Sequence, residues 1–216
     1  MAQEEQVLVV ERQVLEQAGM FQGLTFDVEG YLGRLFAAGV PRFMLRSRSE
    51  ADPTYKQLIP YVIIACDGRY LSYVRGRRAG EVRLVGHRSI GIGGHINPAD
   101  DLPLFSPDFR EAYLAAVERE VAEEVSVATG HTDRVVALLN DDSTGVGQVH
   151  LGIVHPWILE APQVSKREQM ITQMAFMSPA ELHQVRDTME TWSQLCLDHL
   201  ADMTKPAESQ MRAGPV

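Results

Sequence analysis

REVAEEV, at residues 119–125, places three carboxylates on one face of a predicted helix. At about 100° per residue, Glu120, Glu123 and Glu124 fall within one narrow sector. The neighbouring apolar stripe, which can face a core, consists of Leu114, Val117, Val121 and Val125. Like charges three and four residues apart cost about 0.2–0.5 kcal/mol per pair. A bound Mg²⁺ or Mn²⁺ would offset that cost, since both ions prefer carboxylate oxygens. By itself, this stretch also fits an ordinary solvated helix face.

The preceding sequence, GIGGHINP at residues 91–98, reads as a strand that ends in a glycine-rich loop. Glycine lets the backbone approach a ligand closely, so a loop of this kind can present a carbonyl oxygen or an amide to it. Loop and helix together therefore predict a site for a metal ion and a phosphate group.

The two motifs together resemble the signature of the Nudix hydrolases. That signature is a glycine, five residues, a glutamate, seven residues and then R-E-U-x-E-E-x-G-U, in which U is aliphatic. Residues 119–127 match its second half except at Ser126, where the family has glycine. Because that glycine commonly ends the helix, its loss predicts about one more helical turn, with Gly130 as the later stop.

The first half of the signature is altered. Counting forward from Gly94 leads to Asp100, whereas counting back from Arg119 leads to Glu111. The sequence reads as though residues 101–111 were inserted between the loop and the helix. Glu111 would lie nearly opposite the acidic face of an unbroken helix, so we expect it to be solvated, and Asp100 stays a candidate for the missing acid.

The resemblance implies an α+β fold in which a mixed β-sheet is sandwiched between α-helices. It also implies Mg²⁺ or Mn²⁺ as the cofactor. The predicted metal ligands are Glu120, Glu123, Glu124 and the carbonyl oxygen of Gly94. Glu120 and Glu123 are predicted to be catalytic together with Arg119, which would hold the carboxylates in place.

The implied reaction is the attack of water on a diphosphate linkage in a nucleoside diphosphate derivative. His95 and Asp142 are predicted to contact this small-molecule substrate. Lys56 and the basic run at residues 75–78 are further candidates for phosphate contact. The general base is left open, and its candidates are Glu123, Asp141, Asp142 and Glu168.

Two other classes of function fit a chain of this kind. An isomerase of the isopentenyl diphosphate type needs a cysteine in its site, but Cys66 lies in an apolar strand pattern without that family's surroundings. A non-catalytic Nudix-fold module would bind a nucleotide or a protein partner. The three intact carboxylates favour the hydrolase, whereas the altered first half leaves the binding module open.

Composition limits the class of protein. The chain has 216 residues and is 45% hydrophobic, which is enough for one domain with embellishments. Its net charge of −9 argues against stable binding of nucleic acid. Cys66 and Cys196 lie in apolar patterns typical of buried free thiols, which indicates a cytoplasmic location. No apolar run is long enough to span a membrane.

The predicted organisation is an N-terminal extension at residues 1–58, a Nudix domain at residues 59–203 and a disordered tail at residues 204–216. The extension offers a surface for a partner or a homodimer, and the sequence leaves both open. The predicted strands are residues 6–10, 61–66, 69–74, 82–85, 89–92, 134–140 and 148–155, and the predicted helices are residues 11–18, 27–38, 107–128 and 178–200. Asp67-Gly68 predicts a hairpin turn, and Ser178 with Glu181 predicts a capping box. Met189 and Trp192, which recur at helical spacing, are predicted to pack in the core.

Overall fold

The computed structural model describes residues 4–76, 85–98, 109–167 and 171–205. The strands are β1 (Gln6–Glu11), β2 (Gly23–Thr25), β3 (Arg42–Leu45), β4 (Tyr55–Cys66), β5 (Arg69–Arg75), β6 (Arg88–Ser89), β7 (Gly91–Gly93), β8 (Val125–Val127), β9 (His131–Thr132), β10 (Ala137–Asn140), β11 (His150–Leu159), β12 (Val164–Lys166) and β13 (Ile171–Met177). The helices are α1 (Arg12–Gly19), α2 (Val28–Leu35), α3 (Arg46–Ala51), α4 (Phe109–Glu124), α5 (Pro179–Gln184), α6 (Thr191–Leu197) and α7 (Leu200–Met203).

The central sheet has the strand order β13-β5-β4-β11-β10-β2. β4 and β11 run parallel along most of their length, and the other pairs along this path are antiparallel, so the sheet is mixed. β4 and β5 pair only near their tight turn, at Asp67 and Gly68, where both residues have positive φ as a two-residue hairpin requires. Beyond that point the two strands diverge, and β7 pairs with β4 while β6 pairs with β5.

Helices cover both faces of the sheet because the side chains of β4 alternate between two hydrophobic clusters. Leu58, Val62 and Ile64 pack in the cluster that includes residues of α1, α2 and α4. Tyr61 and Ile63 pack in the cluster that includes residues of α5, α6 and α7. The predicted α+β fold, with a mixed sheet between helices, is therefore confirmed.

Two details of the box helix differ from the prediction. α4 ends at Glu124, so the prediction that it continues past Ser126 towards Gly130 is wrong. β8 follows at once and pairs with β12. At the end of α4, the carbonyl oxygen of Glu124 accepts a hydrogen bond from the backbone N–H of Arg167 at 2.9 Å. Strand pairing therefore replaces the expected extra turn. The predicted apolar stripe is correct at its buried valines, but Leu114 is 48% exposed.

The other predicted elements are largely present. The capping box at Ser178 and Glu181 is confirmed, but the helix predicted over 178–200 is broken into α5, a 3₁₀ turn (Arg186–Thr188), α6 and α7. The helix predicted over 27–38 ends at Leu35. Three predictions fall wholly or partly outside the described residues, namely the start of the box helix, residues 82–84 of the strand predicted over 82–85 and residues 206–216 of the tail predicted over 204–216.

The predicted division of the chain at residues 58 and 59 stays a prediction. β4 begins at Tyr55 and crosses that position, and β1 pairs with both β3 and β4. The N-terminal strands thus belong to the same sheet as the strands that carry the site. In the described part of the chain, no helix has the length and apolar character needed to cross a membrane.

Candidate active site

The loop after β7 lies against the acidic face of α4. A Cβ atom placed on Gly94 would come within 1.8 Å of Oε2 of Glu120, so the Glu120 carboxylate occupies the space that a side chain at residue 94 would need. Only glycine permits this approach between backbone and carboxylate. The two motifs that the sequence places 26 residues apart are therefore in direct contact at this point.

Arg119 joins the loop to the helix. Its Nη2 group donates to the carbonyl oxygen of His95 at 2.8 Å, and its Nη1 group lies 2.8 Å from Oε1 of Glu120 and 3.2 Å from Oε1 of Glu123. The predicted pairing of Arg119 with box carboxylates is therefore present. Its predicted role in catalysis stays a prediction.

The three box carboxylates have different surroundings. The side chain of Glu120 is 15% exposed, whereas that of Glu123 is 56% exposed. Glu124 is half-buried, and it lies close to Tyr73 and Arg75. Burial is the main reason that the pKa of Tyr73 is raised, and the charge of Glu124 adds to it; the same charge helps to raise the pKa of Arg75. Glu120 and Glu124 lie one helical turn apart on the same face of α4.

These donors fit a hard divalent cation of the Mg²⁺ type. Across the described ranges, no three His, Cys, Asp or Glu side chains are grouped tightly enough to hold a metal ion by themselves. Mg²⁺ does not need such a group, because it is usually held by one or two carboxylates, waters and substrate phosphates. Glu120 and Glu124 are the two carboxylates predicted for this role, and the Glu120 carboxylate lies directly against the backbone of Gly94.

A cavity of about 440 Å³ adjoins this acidic face on the side of the sheet that α6 covers. Gly94 connects the cavity with the acidic face of α4, since it lines the cavity and contacts Glu120. The ionisable residues of the lining are Arg46, Arg75, His87, His95, His150 and Glu190. The large apolar residues are Ile59, Tyr61, Val146, Met189 and Trp192. The lining thus combines an apolar surface with several cationic or imidazole groups.

A buried ion pair forms part of the cavity wall. Nε of Arg75 lies 3.1 Å from Oε2 of Glu190, and the two side chains are 15% and 4% exposed. The other carboxylate oxygen of Glu190 accepts hydrogen bonds from Ser89 at 2.6 Å, Tyr61 at 3.2 Å and Ser193 at 3.2 Å. Burial acts to lower the pKa of Arg75, but the neighbouring Tyr73, Glu190 and Glu124 outweigh it and raise this pKa.

A second ion pair, in which the lysine is buried, holds a loop that forms another part of the lining. Nζ of Lys56 donates to Oδ1 of Asp142 at 2.6 Å and to the Gly147 carbonyl at 2.7 Å. Arg12 contacts the same carboxylate, with Nη2 2.5 Å from Oδ2. Residues 144–147 of this loop line the cavity. Lys56 is fully buried, and these contacts occupy its ammonium group, so the structure gives it a part in holding the loop.

The structure brings together most of the residues predicted for the site. His95 lines the cavity, and its ring lies 5.7 Å from that of His150. Asp142 is engaged by Arg12 and Lys56, and its predicted contact with substrate stays a prediction, as does that of His95. Glu111 is exposed, as expected. Asp100, Glu168 and the arginines at positions 77 and 78 lie outside the described residues.

Sequence reasoning missed the part of the site that comes from the C-terminal helices. Met189 and Trp192 were predicted to pack in the core, and they do so, but both also line the cavity. Glu190 was not singled out. Its partners Arg75 and Ser89 lie about a hundred residues earlier in the chain, so no local motif signals the contact.

The two cysteines are buried and free, as predicted. Burial raises the pKa of the Cys66 thiol, as does the nearby Asp67. Cys66 ends β4 at the hairpin turn and does not belong to the cavity lining. This position gives no support to an isomerase that would need a reactive cysteine in its site.

Comparison with known proteins places this geometry in a family. No family model matches the sequence. The Bacillus subtilis (strain 168) protein YmaB is 33% identical over 164 residues, which are 74% of this chain and 78% of YmaB. The crystal structure of Tm1382, a protein assigned to the Nudix hydrolases, is 31% identical with a TM-score of 0.75, and the match covers 92% of this chain and 99% of Tm1382.

A more distant structure has the same fold. The NUDIX domain of Shewanella oneidensis NrtR, solved in complex with ADP ribose, has a TM-score of 0.53 at 13% identity, and the match covers 75% of this chain and all of that domain. At this identity the likeness concerns the fold alone. Taken with the box residues that meet at Gly94 and Glu120, the similarity to Tm1382 over nearly the whole of both chains shows that this protein belongs to the Nudix hydrolase family.

Proposed function

We propose that this protein is a metal-dependent hydrolase that cleaves a diphosphate linkage in a nucleoside diphosphate derivative. The observation that carries the proposal is the contact of Glu120 with Gly94, which joins the acidic face of α4 to the cavity. A phosphate chain could therefore lie at the acidic face while the remainder of the same molecule occupies the cavity.

The acidic face suits the chemistry of a divalent cation. Glu120 and Glu124 would hold Mg²⁺ or Mn²⁺ together with the carbonyl oxygen of Gly94, and Glu123 would be a third ligand or the base. When bound, such an ion neutralises phosphate charge and lowers the pKa of a water molecule. Arg119 would keep Glu120 in place, because it already links that carboxylate to the loop.

The cavity suits the organic part of the substrate. Ile59, Tyr61 and Trp192 provide an apolar wall, and the edge of the Trp192 ring approaches Gly152 so closely that a Cβ atom there would lie 3.0 Å from it. Aromatic surfaces of this kind can stack with a nucleobase. Because ADP ribose is bound by the NUDIX domain of NrtR, ADP ribose and other nucleotide sugars belong among the first compounds to test.

The second candidate is a non-catalytic Nudix-fold module that binds a nucleotide or a partner protein. The observation that favours it is the pairing of Arg119 with both Glu120 and Glu123, which engages two of the three box carboxylates. A protein of this kind would bind nucleotides in the same cavity without cleaving them. A homodimer and a cytoplasmic location stay predictions.

The experiment is a hydrolysis screen in Mg²⁺ and in Mn²⁺, with products separated by chromatography. The compounds are nucleoside triphosphates, nucleotide sugars including ADP ribose, dinucleoside polyphosphates and dinucleotide cofactors. Glu120→Gln removes a proposed metal ligand, and Glu118→Gln is the matched control, since Glu118 is exposed on the same helix away from the acidic face.

Cleavage of one class by the wild type and by Glu118→Gln, but not by Glu120→Gln, is the expected result. Equal activity in the Glu120→Gln variant would contradict the assigned site. If no compound is cleaved, but one class raises the melting temperature of the wild-type protein, the binding module becomes the better description.

A further inference from the structure

Arg75 is a largely buried arginine whose guanidinium group has hydrogen-bond donors that the described residues leave unused. Its guanidinium group lines the cavity, and the side chain is 15% exposed. The Nε group donates to Glu190, and with the described residues its two Nη groups form no hydrogen bond. Since a guanidinium group carries five N–H donors, four are left for something that enters the cavity.

The position of Arg75 is fixed on several sides. Glu190 accepts its Nε–H, and three hydroxyl groups hold Glu190 in turn. The guanidinium also lies over the ring of Tyr73, with 5.6 Å between Cζ and the ring centroid. The backbone N–H of Arg75 donates to the His87 carbonyl at 3.0 Å. A side chain held in this way loses little conformational entropy when it binds a ligand.

Arg46, the other arginine of the cavity lining, already forms ion pairs with two glutamates. Its Nη1 group lies 2.8 Å from Glu5 and its Nε group 2.8 Å from Glu50. Arg75, in contrast, pairs with Glu190 in the cavity wall and is near enough to Glu124, on the acidic face of α4, for that carboxylate to contribute to its raised pKa. A phosphate chain that extended from the acidic face into the cavity would therefore pass close to Arg75.

We propose that Arg75 binds a phosphate group of the substrate through its Nη groups, and that Glu190 is the positioning residue that aims the guanidinium. The planar fork of arginine suits two oxygens of one phosphate. Glu190 balances the charge of Arg75, so recognition depends on directed N–H donors more than on net charge. This inference rests on the proposed function, in that it assumes a substrate with a diphosphate group.

The test uses imidodiphosphate, an analogue of pyrophosphate in which an NH group replaces the bridging oxygen. Its binding is measured by isothermal titration calorimetry with Mg²⁺ present, on the wild type and on Arg75→Gln. Arg69→Gln is the matched control, because Arg69 lies on the same strand and pairs with Glu181 outside the cavity. Mg²⁺ binding without the analogue is measured on each protein.

The expected result is a Kd for imidodiphosphate at least about tenfold higher in Arg75→Gln, with an Mg²⁺ affinity that is not reduced, and wild-type values for Arg69→Gln. An Arg75→Gln variant that binds imidodiphosphate as the wild type does would overturn the inference. Failure of the wild type to bind imidodiphosphate would also overturn it.

Two further variants separate phosphate binding from a structural role. Arg75→Lys keeps the charge but lacks the fork, so we expect an intermediate Kd, and this variant decides the question if Arg75→Gln does not fold. Glu190→Gln keeps hydrogen-bonding capacity towards Ser89 and Tyr61 but loses the ion pair, so we expect a higher Kd and a higher KM with a smaller change in kcat. If Arg75 only stabilises the fold, these variants will have lower melting temperatures, but the folded protein will bind imidodiphosphate with the wild-type Kd.

The outcomes for this inference and for the proposed function are distinct. Arg75-dependent binding of imidodiphosphate, without hydrolysis of any compound, would uphold the phosphate contact and reject the hydrolase. Hydrolysis with unchanged kcat, KM and Kd in Arg75→Gln would uphold the hydrolase and reject the phosphate contact.

Discussion

Nζ of Lys56 lies 2.6 Å from Oδ1 of Asp142, and the lysine side chain is fully buried. This pair links β4 to the loop between β10 and β11, which lines the cavity. Lys56 also donates to Oδ1 of Asn140 at 2.8 Å and to the Gly147 carbonyl at 2.7 Å. The conformation of the loop therefore depends on a charged side chain that β4 supplies.

Replacing Lys56 by methionine should destabilise the protein and loosen this loop. We expect a loss of about 2–3 kcal/mol in the free energy of unfolding, because Asp142 and two buried acceptors lose their donor while Asp142 keeps Arg12. Urea unfolding followed by circular dichroism measures the loss.

Arg186→Met is the control for Lys56→Met. Arg186 forms a surface ion pair with Asp198, for which we expect less than about 1 kcal/mol. Equal losses in the two variants would show that the buried pair has no special importance.

Asp142 should also make stability depend on pH in acid. Burial acts to raise the pKa of this carboxyl group, but hydrogen bonds and charge from Arg12 and Lys56 outweigh it and lower the pKa to about 2. Since the folded-state pKa is depressed, the stabilisation is complete above the unfolded-state value of about 4 and is lost as the pH falls through about 2. The contribution is about 2 kcal/mol.

The measurement compares the free energy of unfolding of the wild type and Asp142→Asn between pH 6 and pH 2. The variant should be less stable at pH 6, and its curve should fall less steeply below pH 4. Parallel curves would mean that Asp142 titrates alike in the folded and unfolded states.

Glu124→Gln should abolish metal-dependent turnover with little loss of stability, since Glu124 lies on the acidic face and outside the core clusters. We expect a rate at least about 100-fold lower, because a metal ion contributes several kcal/mol to the stabilisation of transition-state charge. Titration with Mn²⁺, followed by electron paramagnetic resonance, reports metal binding without turnover.

Glu111→Gln tests the other candidate of the box with the same measurements. Glu111 is exposed, so both turnover and Mn²⁺ affinity should be unchanged. Loss of Mn²⁺ affinity in Glu111→Gln, with normal affinity in Glu124→Gln, would reverse the assignment of the acids.

Gly94→Ala should disable the site through a single methyl group. The added Cβ would lie 1.8 Å from Oε2 of Glu120, so either the carboxylate or the loop must move. We expect weaker Mn²⁺ binding and a rate at least about tenfold lower, since small displacements of catalytic groups are costly. Steady-state kinetics and Mn²⁺ titration provide the readouts.

Gly33→Ala is the matched control for this substitution. Gly33 lies in α2, where an added Cβ would meet nothing within 4 Å. Helix propensity then predicts a stabilisation of about 0.5–1 kcal/mol and unchanged kinetics. If Gly94→Ala also leaves the kinetics and Mn²⁺ binding unchanged, the contact between Gly94 and Glu120 is not important for function.

The sequence predicted the elements that depend on local signals. Asp67-Gly68 between two apolar runs predicted the hairpin, and Ser178 with Glu181 predicted the capping box, because each requires only neighbouring residues. The end of α4 was misjudged for a non-local reason. Residues 125–127 pair with β12, about forty residues later, and this pairing outweighs the local preference for another helical turn.

The sequence by itself indicated the family through the resemblance of its motifs, and it determined the acidic helix face and the glycine loop, since their spacing reflects helix period and backbone freedom. Tertiary structure decided which side chains share the cavity. Lys56 meets Asp142 because β4 lies beside β11 in the mixed sheet, and Arg75 meets Glu190 because the start of α6 packs against β5 and β6. In each pair one partner is almost fully buried and needs an opposite charge to offset its loss of water, and no local pattern in the chain records which residue supplies that charge.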